Sequence, residues 1–539
     1  MSATLKKATS MNHRLLCIAS AAAALLVLGS AYAAAPGVRG TTFTLTASPA
    51  YINQPDGQMI YSWGYACSAT NGRAVPTAIS PPATGVCGGT MQVPGPTIIV
   101  TENVPFSVTL TNNLPAAAGN TSILFPGINA SSAPTGGVRG LLAQEAAPGT
   151  SVTYHLVATS PGTRAYYSGT QGDLQVEMGL YGAIIVLPST VTPTGCTALN
   201  AVPAHYVAPG NTPEADFRLA ASAYDHSRSC YDREYLFQFS EMDPNIHQQA
   251  LLQVTARTGC VAGAAGCSLN VPTEPYRPSY FMINGRSMPD DMDSNYAPAY
   301  PHQPYNGNPH MHPGELVLLR IIGQGRWQHP FHEHGNHVRI LGRDGNLILA
   351  STTAGEANLA GPLLFTTTTT PGLAMDGIFQ WTGKGLNWDP YGHNPRSTST
   401  DPLVKLPCTP DANGYNNVTT ALNYYEWCQD HNKPLQANPF GDVAGGGPAT
   451  LPDANIFANG AWYGGSPYLG PNATVRATGP TGTTPPSGTI ANSPTSEAGF
   501  AFMWHSHNER EITTNNIFPG GMLMMMLVDS REFQIDESN

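Results

Sequence analysis

The chain has 539 residues, 41% of them hydrophobic and only 11% charged, with 56 glycines and 48 prolines. That length exceeds one small core and suits two or three domains. So little charge among so many turn-formers and β-branched residues excludes a mainly helical protein and favours an all-β one with long loops.

The first 33 residues read as an export signal. Lys6, Lys7 and Arg14 precede the apolar run "LLCIASAAAALLVLG", and a small-x-small sequence ends at Ala33. The run is shorter than the ~20 apolar residues a membrane span needs. Cys17 lies before the run ends, which argues against a lipid anchor. No later segment is long and apolar enough to span, so the expected location is the periplasm or the cell exterior. Removing Lys6, Lys7 and Arg14 leaves 21 basic residues against 35 acids, a net charge of −14. That balance argues against nucleic acid or an anionic membrane surface as partner and for metal cations or neutral organic molecules. Eight cysteines follow the signal, an even number for an oxidising compartment. Four local disulfides are expected: Cys67 with Cys87, Cys196 with Cys230, Cys260 with Cys267 and Cys408 with Cys428. Spacing alone does not fix the connectivity. That pairing leaves no thiolate for a metal.

Residues 40–190 alternate apolar and polar over short runs, and "TIIVTENVPFSVTLTNNLP" gives two strands and a turn. "GLYGAIIVLP" is a buried strand leaving this first domain. Residues 191–230 read as a linker. A second domain, 231–530, opens at "REYLFQFSEMD", continues through "YFMINGRSMPDD" and "GELVLLRIIGQGRWQHPFHEHGNHVRILGRDGNLI", and closes at "GGMLMMMLV". Residues 384–498 interrupt its pattern with Gly, Pro, Asn and Thr, too long for an ordinary loop, and read as a surface excursion.

The chemistry concentrates in "HPFHEHGNH", His329 to His337, and "WHSHNERE", Trp504 to Glu511. Residues i and i+2 of a strand face one way, so His332 pairs with His334 and His505 with His507. Two such pairs on neighbouring strands converge as an imidazole site, which copper favours above all. Glu333 alternates away from these histidines and is expected to support an imidazole by hydrogen bonding. His337 reads equally as such a support or as a core histidine. "NPHMHPGE" offers His310, Met311 and His312, but "GELVLLRII" spans roughly 30 Å and sets His312 and His329 at opposite strand ends. A separate weak copper site there, or solvated histidines, is the expectation. Asp290, Asp291 and Asp293 form an acidic turn, solvated or binding Ca²⁺. The "MLMMM" run reads as core packing.

These stretches, together with "VPGPTIIVTENVPFSVTLTNNLP", "PGTRAYYSGTQGDLQVEMGLYGAIIV" and "FMINGR", resemble the multicopper oxidases, in an arrangement similar to their two-domain, laccase- and nitrite-reductase-like branch. The resemblance covers most of 40–385 and 499–530. It implies two cupredoxin-like Greek-key β-sandwich domains, with a long loop insertion in the second. It sets His329 at a type 1 copper position, His332 at a type 2 position, and His334, His505 and His507 at type 3 positions. Ser506 then occupies the place of the type 1 cysteine and Glu511 that of the second type 1 histidine. Without the thiolate no blue type 1 copper is expected. The stretch before Met522 is longer than the family's spacing, which speaks against an axial role for Met522. Where the first domain's histidine pairs would stand, this chain reads "LFPG", Leu124 to Gly127, and "YSG", Tyr167 to Gly169. The expected metal residues are therefore His332, His334, His505 and His507, holding one or two copper ions. His329 and Glu511 are either a harder-metal pair or a buried hydrogen bond. The implied function is a copper-dependent oxidoreductase with a reduced, non-blue site, acting on a small molecule or metal ion. The alternative is a non-catalytic copper-binding or assembly protein on a degenerate oxidase scaffold. A homo-oligomer or a partner chain is compatible with either, although an identical chain lacks the missing first-domain ligands.

Overall fold

The computed structural model describes residues 35–75, 89–189, 196, 218–351, 358–385, 408–418, 421, 424–429, 465–469, 490–491, 499–529 and 535. The expected export signal, Cys87, most of the linker and much of the 384–498 stretch lie outside the described residues. Two β-sandwiches result. In the first, one five-stranded sheet contains Thr42–Asn53, Met59–Thr70, Phe106–Asn112, Asn129–Gly136 and Ser151–Val157. The other contains Gly37–Arg39, Arg73–Val75, Ile98–Thr101, Gly162–Tyr167 and Tyr181–Leu187. Between them Trp63, Val108, Leu110, Ile98, Ile184 and Val186 form a core. The period of two is visible in Phe106–Asn112, where Phe106, Val108 and Leu110 are buried and Ser107, Thr109 and Thr111 lie nearer the surface.

The second sandwich has two seven-stranded sheets. In one, Arg233–Met242 lies between Tyr280–Ile283 and Leu316–Gly323, followed by Ala374–Gln380 and Val338–Arg343. The other runs from His310–Met311 through Leu523–Asp529, Gly499–Ser506 and His329–Glu333 to Thr366–Thr369. Phe237, Phe239, Phe331, Trp504, Met522, Met524 and Met526 fill the space between. The methionine run therefore packs the core, as its composition suggests.

A third apolar layer joins the domains. Tyr181–Leu187 and Arg233–Met242 are buried over their whole lengths. Ile184 and Val186 face the first core, while Ala183, Ile185 and Leu187 meet Leu236, Ile322 and Ala374 of the second domain. An unbroken apolar strand such as "YGAIIVL" is what two covered faces require. Polar ties cross the same layer. Asp376 accepts hydrogen bonds from Thr163 N and Oγ1 at 2.9 and 2.5 Å and from the Tyr224 hydroxyl at 2.6 Å. Arg320, fully buried, pairs with Glu234 at 2.8 Å and donates to Thr163 Oγ1 at 3.0 Å.

One helix, Pro244–Ala256, was not expected from the sequence pattern. Asp243 caps it by accepting from Asn245 N, and Pro244 opens it. Cys196–Cys230, Cys260–Cys267 and Cys408–Cys428 are disulfides, and Cys67 is also disulfide-bonded. Among the described residues no helix is long and apolar enough to cross a membrane.

Asp376 is the acceptor on which two domains converge. Its replacement strands the Tyr224 hydroxyl and the Thr163 donors and weakens the setting of Arg320. Asp376→Ala is expected to lower the unfolding free energy by about 3–5 kcal/mol, and Asp376→Asn by less, in denaturant titrations. An unchanged midpoint would show that the tie contributes nothing.

Candidate metal centre

The site follows from one strand register. His329–Glu333 pairs antiparallel with Gly499–Ser506, so that Phe331 lies opposite Ser506, His332 opposite His505 and Glu333 opposite Trp504. Alternation sends His329, Phe331 and Glu333, with Trp504 and Ser506, into the sandwich. His332, His505 and His507 go to the other face, where His334 joins them.

On that other face, the His332 ring lies 4.9 Å from His334, 5.6 Å from His505 and 5.0 Å from His507, centroid to centroid. His334 and His505 are 5.2 Å apart, and His505 and His507 5.5 Å. The structure thus brings together the four histidines expected to act as one group. His505 Nδ1 lies 2.7 Å from the Ser506 carbonyl, which can only accept, so the proton sits on Nδ1 and the Nε2 lone pair is available to a ligand. That Nε2 is 3.3 Å from His334 Nε2. Two imidazole nitrogens on one tetrahedral ion at ~2.0 Å stand about 3.3 Å apart, so this pair already has the spacing of a shared ligand edge. His332 Nδ1 lies 2.9 Å from Thr366 Oγ1. Burial first, and then the neighbouring imidazoles, push His332 down to about 4; burial also lowers His505. Neutral imidazole is the form that binds metal. Among the described residues, however, no three His, Cys, Asp or Glu side chains are already gathered around one ion position. Closing the set requires His332 or His507 to turn. His507 is exposed, and Phe365, half exposed, stands edge-on to both His332 and His337.

The inner face carries a different assembly. His329 Nδ1 donates to Glu511 Oε2 and Nε2 to Glu241 Oε2, both at 2.9 Å. Ser506 Oγ donates to the same Glu511 oxygen at 2.5 Å, and Asn508 Nδ2 to the other at 2.9 Å. Glu241 Oε1 accepts from Arg326 N, Trp327 N and the Tyr276 hydroxyl, which also reaches Glu177 at 2.7 Å. Burial depresses the His329 imidazole, but the two carboxyl partners overturn that and raise it to about 9. With a proton on each ring nitrogen, His329 offers no lone pair to a metal. Of the two readings of His329 and Glu511, the contacts are those of the buried hydrogen bond, extended to Glu241. Glu241, Glu177 and Tyr276 were not singled out from the sequence. Glu241 carried one signal, an acid inside the apolar strand "REYLFQFSEMD".

Other expectations are settled by contacts. Glu333 receives the Thr367 hydroxyl rather than an imidazole, and burial lifts it to about 8. His310 and His312 are buried, not solvated: His310 Nδ1 lies 2.6 Å from Asp529 Oδ2 and His312 Nδ1 2.9 Å from Asp529 O. The Asp290–Asp293 turn wraps Arg286, whose Nη1 takes the carbonyls of Asp290, Asp293 and Ser294. Met522 lies in the core. In the first domain Leu124 and Tyr167 pair through their backbones, at 2.8 and 3.3 Å. The stretches Leu124–Gly127 and Tyr167–Gly169 therefore lie side by side.

Two family models, both described as multicopper oxidase, match residues 76–190 and 272–375. Laccase abr2 of Aspergillus fumigatus is 38% identical over 98 residues, 18% of this chain and 16% of that protein. The match thus spans less than a fifth of the laccase's length. Similar solved structures include the multicopper oxidase mgLAC, with a TM-score of 0.42 and 15% identity over 91% of this chain and 86% of that one. The blue copper oxidase of Nitrosomonas europaea gives 0.42 and 14% over the same shares. Residues 76–190 and 272–375 are thus similar to the multicopper oxidases, and the fold is a pair of all-β, cupredoxin-like sandwiches.

A histidine raised from 6.5 to about 9 stabilises the fold fully below pH 6.5 and ceases to as pH rises through 9. Glu177 and Glu333, both lifted to about 8 chiefly by burial, act in the same sense. The unfolding free energy is expected to fall by about 3 kcal/mol or more between pH 6.5 and pH 9.5. His329→Gln should flatten that slope; an equal slope in the variant would show that His329 carries no stabilising charge.

Proposed function

We propose that this chain is an exported copper protein that holds one or two ions on His332, His334, His505 and His507, without a blue centre. In this reading it oxidises small phenolic or metal-ion substrates one electron at a time, with dioxygen as the external oxidant that finally takes up the electrons. The observation that carries it is the four-imidazole face, with the Nε2 atoms of His334 and His505 at 3.3 Å. Bound copper supplies a one-electron couple. The protein's part is to favour neutral His332 and His505 by burial, to fix the His505 tautomer through the Ser506 carbonyl, and to leave His507 open to an approaching substrate. Electron entry through a type 1 thiolate has no counterpart, since Ser506 is hydrogen-bonded to Glu511. Substrate and imidazole face must therefore meet directly.

A second reading, copper binding without turnover, has its own support. The inner network has replaced metal ligands with internal hydrogen bonds, and Leu124 and Tyr167–Gly169 bring no imidazole. A second identical chain would not supply one.

Metal content by mass spectrometry with electron paramagnetic resonance, on protein matured with copper, tests the proposal. One or two coppers per chain with no blue band are expected. His334→Ala combined with His505→Ala should lose the copper and any phenol oxidation. Copper retained in that variant, or stoichiometric zinc or iron in the wild type, would overturn it. Copper bound with no oxidation of phenols or metal ions would favour the second reading.

A further inference from the structure

We infer a separate site for monovalent copper on the thioethers of Met292, Met503 and Met525. Strand alternation creates it from the "MLMMM" run. Met522, Met524 and Met526 are fully buried in the second core, whereas Met525 points out of the sandwich and is only partly covered. The register sets Met503 directly opposite Met525, and Met503 is likewise partly exposed. Opposed residues share a face, and Met503 stands two residues from His505. Both thioethers therefore lie on the face that carries the imidazoles.

Hydrogen bonding fixes how close the pair comes. Met525 N donates to Met292 Sδ at 3.4 Å, and Leu527 N donates to Pro309 O at 2.9 Å. Both amides point away from Gly499–Ser506, so Met503 and Met525 form a non-hydrogen-bonded pair. Such pairs hold the closest side chains of an antiparallel ladder, with Cβ atoms roughly 4.5–5.5 Å apart. Each methionine adds three rotatable bonds, which lets the two sulfurs meet on one ion without backbone movement. The third sulfur, Met292 Sδ, already touches the strand at Met525, and its side chain packs against the second core.

The donors select the ion. Neutral thioethers are soft; they favour Cu(I) over Ca²⁺ and Mg²⁺, which take oxygen, and over Cu(II), which takes imidazole. Packing accounts for the three buried methionines, but not for two partly exposed ones set face to face. Asp293, next to Met292 in sequence, is exposed and adds negative charge at the edge where a cation arrives. Met503 and His505 are roughly 7 Å apart along the strand, which places the site to pass copper to the imidazoles. That role rests on the function proposed above; the binding itself does not.

The full chain, freed of metal, is titrated anaerobically with Cu(I) against the chelator bicinchoninate, alongside the variant carrying His334→Ala and His505→Ala. That variant is expected to hold one Cu(I) per chain, with sulfur neighbours in X-ray absorption. Adding Met503→Leu and Met525→Leu to it conserves volume and should weaken this ion about tenfold or more, at an unchanged melting temperature. Met524→Leu, on the buried face, should leave it within about twofold. Thioethers hold Cu(II) poorly, so copper counted after preparation in air reports the imidazoles alone. Cu(I) on sulfur in a chain whose imidazoles take no copper would support this site while sinking the function proposed above. No Cu(I) held by the histidine variant, neighbours of nitrogen and oxygen only, or unchanged affinity in a folded protein with both leucines would each overturn the inference.

Discussion

Everything at the metal centre depends on the antiparallel register between His329–Glu333 and Gly499–Ser506. Because side chains alternate, a slip of one residue would exchange the two faces. The imidazoles of His332 and His505 would enter the sandwich, and Phe331 and Trp504 would leave it. The register is held by the apolar half of the pattern. Phe331 packs 4.6 Å from Phe239 and 6.2 Å from Trp504, and Trp504 packs 4.9 Å from Phe379, ring to ring. Hydrophobic packing on one side thus sets the spacing of the imidazoles on the other.

The inner face poses the opposite problem. A histidine and several carboxyl groups lie together in a low-dielectric interior, where an isolated charge would be severely destabilising. The arrangement survives because each polar atom finds a partner: His329 bridges Glu241 and Glu511, Ser506 and Asn508 cover Glu511, and two backbone amides cover Glu241. This completeness separates the inner group from the outer one. The outer imidazoles are partly accessible and only loosely linked, and burial lowers His332 and His505 toward the neutral form, which suits an incoming ion. The inner group is saturated, and an ion would have to displace protons and hydrogen bonds together.

The legible parts of the sequence were those governed by local rules. The period of two in "HPFHEH" and "WHSH" is a property of any strand, so the convergence of four histidines could be argued before any coordinates. The doubly covered strand "GLYGAIIVLP" was readable for the same reason. The inner network was harder because it is assembled from distant segments. Glu241, His329 and Glu511 are 88 and 182 residues apart in sequence, and nothing local says which buried acid meets which base. The fate of His310 and His312 likewise depended on Asp529, 219 residues beyond His310. That the acidic turn's carbonyls are claimed by Arg286 is likewise not revealed by the turn's own composition.

The two halves of the molecule are more closely joined than a pair of sandwiches on a linker. From Glu177 in the first domain, hydrogen bonds pass through Tyr276 to Glu241, then His329, Glu511 and Ser506. Ser506 lies between His505 and His507 in sequence. This inner network forms part of the contact between domains. If the inner network were only the remnant of a lost metal site, its groups would have no reason to reach beyond the second sandwich. Instead Arg326 and Trp327 couple it to the loop that borders the interdomain cleft, while His247 anchors the helix Pro244–Ala256 to Tyr61 and Glu177 of the first domain at 2.6 and 3.1 Å. Ser506→Cys would therefore not create a metal site by itself. The thiolate would face an imidazole whose nitrogens are both committed, and freeing them would mean dismantling a bridge that holds the two domains together.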